Sequence, residues 1–205
     1  YKRQIKDDGS AITWGCATSG GDSRLVATAL SSGVVSVVSN LNAFVAIKED
    51  DSAVSWGCTK GGGDSNRVAA ALSSGVVNVC STSHAFVAFK EDGSTVSWGR
   101  TWNGRDASAV SAALSSDVVN VVTNRYAFVA IKKDGSAVSY GCAHNGGDSS
   151  RVATKLSSGV VSVVSTSFAF VALKEDGSVV SWGNEDNGGD SSRVAAALSL
   201  SLIHI

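Results

Sequence analysis

The sequence predicts a mainly β repeat array, and three observations carry that expectation. Trp14, Trp56, Trp98, Tyr140 and Trp182 each precede a glycine and stand 42 residues apart without drift. Short apolar runs such as Val34-Val35-Ser36-Val37-Val38 and Phe44-Val45-Ala46-Ile47 recur on the same beat. Between two such runs lies a turn such as Asp92-Gly93, the strongest short-range hairpin signal. One supersecondary unit is therefore written about five times over residues 1–199, a single repeat domain.

Each element of the unit follows from its residues. In the best-formed copy, Val76 to Cys80 is a β-rich run, Ser81 to His84 a small polar break, and Ala85 to Lys90 a second run. Glu91-Asp92-Gly93-Ser94 turns the chain, and Thr95 to Gly99 is a third strand. A Gly-rich loop follows. Asp148 to Gly159 then reads as a short helix, with Asp148 as N-cap, an Ala-containing interior and Gly159 just past the end. The other copies place the same segment after Asp22, Asp64, Asp106 and Asp190.

The strands are apolar on both sides. A sheet with one wet face would alternate; a small sheet held between two neighbours would not. Face-to-face stacking of three-stranded sheets predicts a β-propeller-type array, with an open β-rich solenoid as the alternative. In either case the repeated aromatic residue packs between sheets.

Composition narrows function. Among 205 residues, 17 Lys+Arg face 18 Asp+Glu, so there is no electrostatic footprint for nucleic acid or an anionic membrane. No apolar run approaches the ~20 residues of a membrane span. The cysteines Cys16, Cys58, Cys80 and Cys142 form no Cys-x-x-Cys, and three of them share one repeat position, so they read as free small hydrophobes. One aspartate per loop is too few oxygens for calcium. The three histidines, His84, His144 and His204, converge on no nucleophile, carboxylate pair or metal set. The expectation is a non-enzymatic chain with no cofactor, binding a protein.

Val79-Cys80-Ser81-Thr82-Ser83-His84-Ala85-Phe86-Val87-Ala88-Phe89-Lys90-Glu91-Asp92-Gly93-Ser94-Thr95-Val96-Ser97-Trp98-Gly99 resembles the repeat of the regulator of chromosome condensation family, with Cys, His, Asp-Gly and Trp-Gly in register. Ser81 stands where that pattern has glycine, and Gly-Gly-Asp-Ser replaces its Gly-Gln-Leu-Gly segment. The short blades are also similar to those of a bacterial β-lactamase inhibitor built on this kind of propeller. The resemblance implies a ring of about seven blades used as a binding platform. It implies guanine-nucleotide exchange for only some members, and nothing in these residues selects it.

Strand order puts the polar break and the Gly-rich loop at one end of each repeat and the Asp-Gly turn at the other. Departures from the repeat concentrate at the first end. Asn42, His84, Tyr126 and Phe168 occupy one break position, and Arg125 precedes Tyr126. The third loop reads Arg100-Thr101-Trp102-Asn103-Gly104-Arg105. Trp, Tyr and Arg dominate interface energetics, so the expected binding patch is Trp102, Tyr126, Arg100, Arg105 and Arg125, with His84, Asn42 and Phe168 beside it. The alternatives are a sugar-binding or enzymatic propeller whose site lies in other repeats or domains, and a structural array with no dedicated site.

Tyr1 opens in mid-repeat, no methionine is present, and Leu200 to Ile205 breaks the beat. The sequence therefore reads as a piece of a longer protein, with 200–205 resembling an adapter-derived, non-native tail.

Overall fold

The computed structural model describes residues 2–100 and 110–192. They contain one two-stranded and four three-stranded antiparallel sheets. The strands are β1 (Lys2–Ile5), β2 (Ala11–Trp14), β3 (Val34–Ser39), β4 (Ala43–Lys48), β5 (Ala53–Gly57), β6 (Val76–Ser81), β7 (Ala85–Lys90) and β8 (Thr95–Gly99). They continue with β9 (Val118–Thr123), β10 (Ala127–Lys132), β11 (Ala137–Gly141), β12 (Val160–Ser165), β13 (Ala169–Lys174) and β14 (Val179–Gly183). Each three-stranded sheet is a meander with its middle strand bonded on both sides. The chain divides into two compact units, Tyr1–Asp106 and Ala107–Ile205, each described in its own right.

The two-sided apolar pattern is explained by burial on both faces. In the first unit, Ala43, Val45 and Ile47 of β4 join Leu72, Val76, Val79, Phe86, Ala88 and Trp98 of the following repeat in one core. The intervening Phe44 and Ala46 face the other way and pack with Leu30, Val34 and Trp56. In the second unit, Ala127, Val129 and Ile131 of β10 meet Phe170, Ala172 and Trp182 in the same manner. Within each unit, successive sheets thus pack face to face, and the β3–β5 sheet buries both of its faces, which is propeller-blade packing.

The aromatic anchors lie where the sequence puts them. Trp56, Trp98, Tyr140 and Trp182 are buried and stack on Phe44, Phe86, Phe128 and Phe170, with ring centroids 5.3–5.5 Å apart. Trp14 differs: it is 43% exposed, against 3% for Trp56.

The expected helix is a correction. Asn66–Val68 and Ser150–Val152 are single 3₁₀ turns, and the chain leaves them through turns rather than an α-helix. A segment this short cannot recover the cost of helix nucleation. One turn is enough to place Val68 and Leu72, four residues apart, against the core. The Leu72 carbonyl then leaves the helical direction to accept the Ala53 N–H at 2.8 Å, and the Leu156 carbonyl does the same for Ala137. Gly75 and Gly159, at φ +68° and +71°, end the segment. The aspartates still cap it, one residue earlier than expected: Asp64 and Asp148 accept the N–H of Asn66 and Ser150 at 2.9 Å as Asx turns. The Arg24 guanidinium, bonded to both Asp22 carboxylate oxygens, holds the Asp22 pKa down to about 2.

The lysines before the hairpin turns reach back to backbone carbonyls. Lys48 Nζ reaches the Ala29 and Ser32 carbonyls, and Lys90 Nζ donates to the Ala71 carbonyl at 2.7 Å. Each lysine caps orphan carbonyls at the end of the preceding repeat's turn.

Candidate functional site

The break end of each repeat is a built surface. Asn40, Thr82, Asn124 and Thr166 recur at 42-residue intervals as the residue directly after the first strand of each sheet. Asn40 Oδ1 accepts the N–H of both Asn42 and Ala43 at 2.9 Å, and Asn124 Oδ1 those of Tyr126 and Ala127 at 2.8 Å. Thr82 and Thr166 do the same with a hydroxyl. The remaining donor of Asn40, Asn124 and Thr166 ties the break to its own Gly-rich loop, while Thr82 Oγ1 donates to the Ala85 carbonyl at 3.4 Å. Asn40 Nδ2 donates to the Gly61 carbonyl, Asn124 Nδ2 to Asn145 and Thr166 Oγ1 to Asn187, at 2.6, 2.7 and 3.1 Å. The break and the loop therefore share one end, as the strand order requires.

The loop itself is fixed by its glycines. The Gly20, Gly62 and Gly146 carbonyls accept the indole N–H of Trp56, Trp98 and Trp182 in the next repeat, at 3.0–3.1 Å. A Cβ on Gly62 would lie 2.7 Å from Phe86 Cδ2. The glycines thus belong to the stacking interface, which is why Gly-Gly-Asp-Ser recurs. What remains exposed is the loop's variable tip: Lys60 in the first unit, then His144, Glu185 and Asp186 in the second.

On this frame the second unit brings together three of the expected residues. The Tyr126 and Phe168 rings, from successive breaks, stack with centroids 5.7 Å apart and planes 22° from parallel. The Arg125 guanidinium lies 5.5 Å from the Tyr126 ring centroid. Both rings are half-buried and Arg125 is exposed. One face of each ring is used against the other, and the Arg125 guanidinium lies over Tyr126.

In the first unit, Asn42 and His84 hold the same break position, and the His84 carbonyl accepts the Arg100 N–H at 2.9 Å. Trp102 and Arg105 lie outside the described residues. Arg100 belongs to the first unit and Arg125, Tyr126 and Phe168 to the second.

The sequence reading missed the Asn/Thr column, although its 42-residue spacing was visible, and it missed Glu185 and Asp186 as a charged tip. A cleft of about 1050 Å³ opens between Asp148–Lys155 and β14, lined by groups of both signs including Asp148, Arg151, Lys155 and Asp190. Among the described residues no three His, Cys, Asp or Glu side chains are placed to hold a metal ion, and no helix is long and apolar enough to cross a membrane. Among the described residues the four cysteines form no disulfide, and burial pushes the Cys80 thiol pKa up.

These sheets and their packing define a β-propeller-type repeat protein. Residues 160–188, β12 to the loop after β14, match the family model for the Regulator of chromosome condensation (RCC1) repeat. Among solved structures, yeast RCC1 (Prp20), crystallised with Kap60, is similar at 18% identity and TM-score 0.53, over 73% of this chain and 43% of the yeast chain. Prp20p from Saccharomyces cerevisiae, studied with its binding to Gsp1p and histones, is similar at 16% identity and TM-score 0.51, over 73% and 44%. This chain thus spans less than half the length of either. No curated protein sequence matches it.

Proposed function

We propose that the chain is a non-catalytic, propeller-type protein-interaction module, and that its partner is met at the break end of the repeats. The observation that carries this reading is the Tyr126–Phe168 pair with Arg125 beside it. Repeat positions that stack sheets or cap breaks stay within one chemical kind from copy to copy, Trp or Tyr in one column and Asn or Thr in the other. The break position does not: Asn42, His84, Tyr126 and Phe168 differ while the bonds that hold their backbone are retained. Variation on a fixed frame is how a rigid scaffold carries recognition. Half-buried Tyr and Phe beside an exposed Arg are residue types enriched where protein partners bind.

Precedent runs the same way. The yeast protein of this fold is described with Kap60, Gsp1p and histones; a protein partner is the class we carry over, not those individuals. The expected patch of Trp102, Arg100 and Arg105 remains part of the proposal as further contact residues.

The test is affinity capture on the immobilised full chain, with Tyr126→Ala/Phe168→Ala compared with wild type. Capture of the protein retained by wild type should drop at least about tenfold, the scale of one interface hot spot, while melting temperature and the β signal in circular dichroism hold. Unchanged capture by a folded double variant contradicts the reading.

A further inference from the structure

Resting on that reading, we propose that the Tyr126–Phe168 platform takes a bipolar polypeptide segment: an apolar side chain on the ring pair, an acidic residue at Arg125 and a basic residue at Asp186. The placement of the two poles follows from the bonding of the breaks. Arg125 directly precedes Tyr126 and reaches its ring. Asp186 lies at the tip of the loop held against the other ring's break, because the Phe168 carbonyl accepts the Asn184 N–H at 3.0 Å and Thr166 Oγ1 donates to the Asn187 carbonyl at 3.1 Å. Positive charge therefore flanks the platform on the Tyr126 side, where the loop tip is His144, and negative charge flanks it on the Phe168 side.

Glu185 adds to the negative pole only in part, since it meets Arg151 at 3.5 Å. Both partners of that pair are largely exposed, so it holds little. Asp186 carries the rest.

Stacked aromatics beside an arginine also suit single-stranded nucleic acid. A phosphate backbone crossing this platform would run from Arg125 into Asp186 and Glu185, a repulsion that a formal net charge of −1 does not offset. A polypeptide can present opposite charges on the two sides of one apolar residue, and a nucleic-acid strand cannot.

The experiment is fluorescence anisotropy of the full chain with labelled short peptides in a Gly-Ser background, varied in spacing. Each carries one Leu or Phe flanked by Glu and Lys, by two Glu, by two Lys or by neither; oligothymidylate is the remaining probe. The mixed Glu/Lys peptides should bind tightest. Asp186→Lys should shift the preference to the two-Glu peptides and Arg125→Glu to the two-Lys peptides, each by about fivefold, the scale of one exposed ion pair. Equal binding of all charge patterns, preferences unmoved by either substitution, or tightest binding of oligothymidylate overturns the proposal. If charge patterns are indifferent while Tyr126→Ala/Phe168→Ala still abolishes partner capture, the bipolar segment falls and the interaction module stands. If that double variant also captures normally, both fall.

Discussion

Trp98 donates its indole N–H to the Gly62 carbonyl at 3.0 Å, and the two residues belong to successive repeats. The same glycine stands at φ +95° and leaves room for the Phe86 ring on which Trp98 stacks. One backbone position thus supplies the acceptor, the space and the turn that join two sheets.

Removing the donor and removing the space should have different costs. Trp98→Phe keeps an aromatic face but leaves a buried carbonyl unpaired, about 1–3 kcal/mol. Gly62→Ala adds backbone strain and a clash with Phe86, about 3 kcal/mol or more. Trp98→Ala leaves a core void, about 3–5 kcal/mol. Urea unfolding of the three variants checks the order; a silent Gly62→Ala would remove the glycine from the stacking interface.

Two aspartates sit where other repeats use glycine. Asp51 at φ +57° and Asp117 at φ +60° are the non-glycine residues with positive φ among those described. Asp51 takes the place of Gly93 in its turn, and Asp117 that of Gly75 before its strand. Each passes its carbonyl to the next element, Asp51 to the Val76 N–H and Asp117 to the Lys133 N–H, both at 2.8 Å, so the conformation is held in spite of the side chain. Asp51→Gly and Asp117→Gly should each stabilise by about 0.5–1 kcal/mol, the left-handed penalty less the added freedom of the unfolded chain. Gly75→Ala should do the reverse. Denaturation midpoints read the sign directly.

Lys90 is a structural cation. Its ammonium donates to the Ala71 carbonyl across a repeat boundary. Lys90→Met keeps the apolar stem and loses that bond, and should cost about 1 kcal/mol in the same unfolding assay; no change would return the lysine to the solvent.

Acid sensitivity follows from the hairpin tips. Asp8, Asp50, Asp92, Asp134 and Asp176 are all held below the ordinary carboxylate value, first by the hydroxyl of the serine two residues on and then by its N–H. A depressed folded pKa gives stability that is present above the unfolded value, near 3.9, and is lost as pH falls through the folded one. The urea midpoint should therefore be flat from about pH 7 to 5 and fall below about pH 4. Asp92→Asn, which keeps an Asx acceptor without a titrating charge, should remove one carboxylate's share of that fall.

Much of this fold was legible because the repeat acts as its own alignment. The 42-residue beat located the aromatic anchors, and unbroken apolar strands announced two buried faces. The helix was overread because Ala-rich propensity is local, whereas the Leu72 carbonyl is claimed by Ala53 from outside the segment. The carbonyl bonds of Lys48 and Lys90 were not legible because a long side chain's path is invisible in sequence. At the site, Tyr126 and Phe168 stood out as departures from the repeat, but their stacking depends on how successive breaks are held, by Asn124 and Thr166, and no single-residue pattern reports that.

The most direct measurement is hydroxyl-radical footprinting of the full chain with and without its captured protein partner. Oxidation of Tyr126 and Phe168 should fall on binding, while the opposite end of the same repeats, at Lys132 to Ser136 and Lys174 to Ser178, stays unchanged. Protection confined to those Asp-Gly turns, with Tyr126 and Phe168 oxidised as in the isolated chain, would contradict a partner site at the break end.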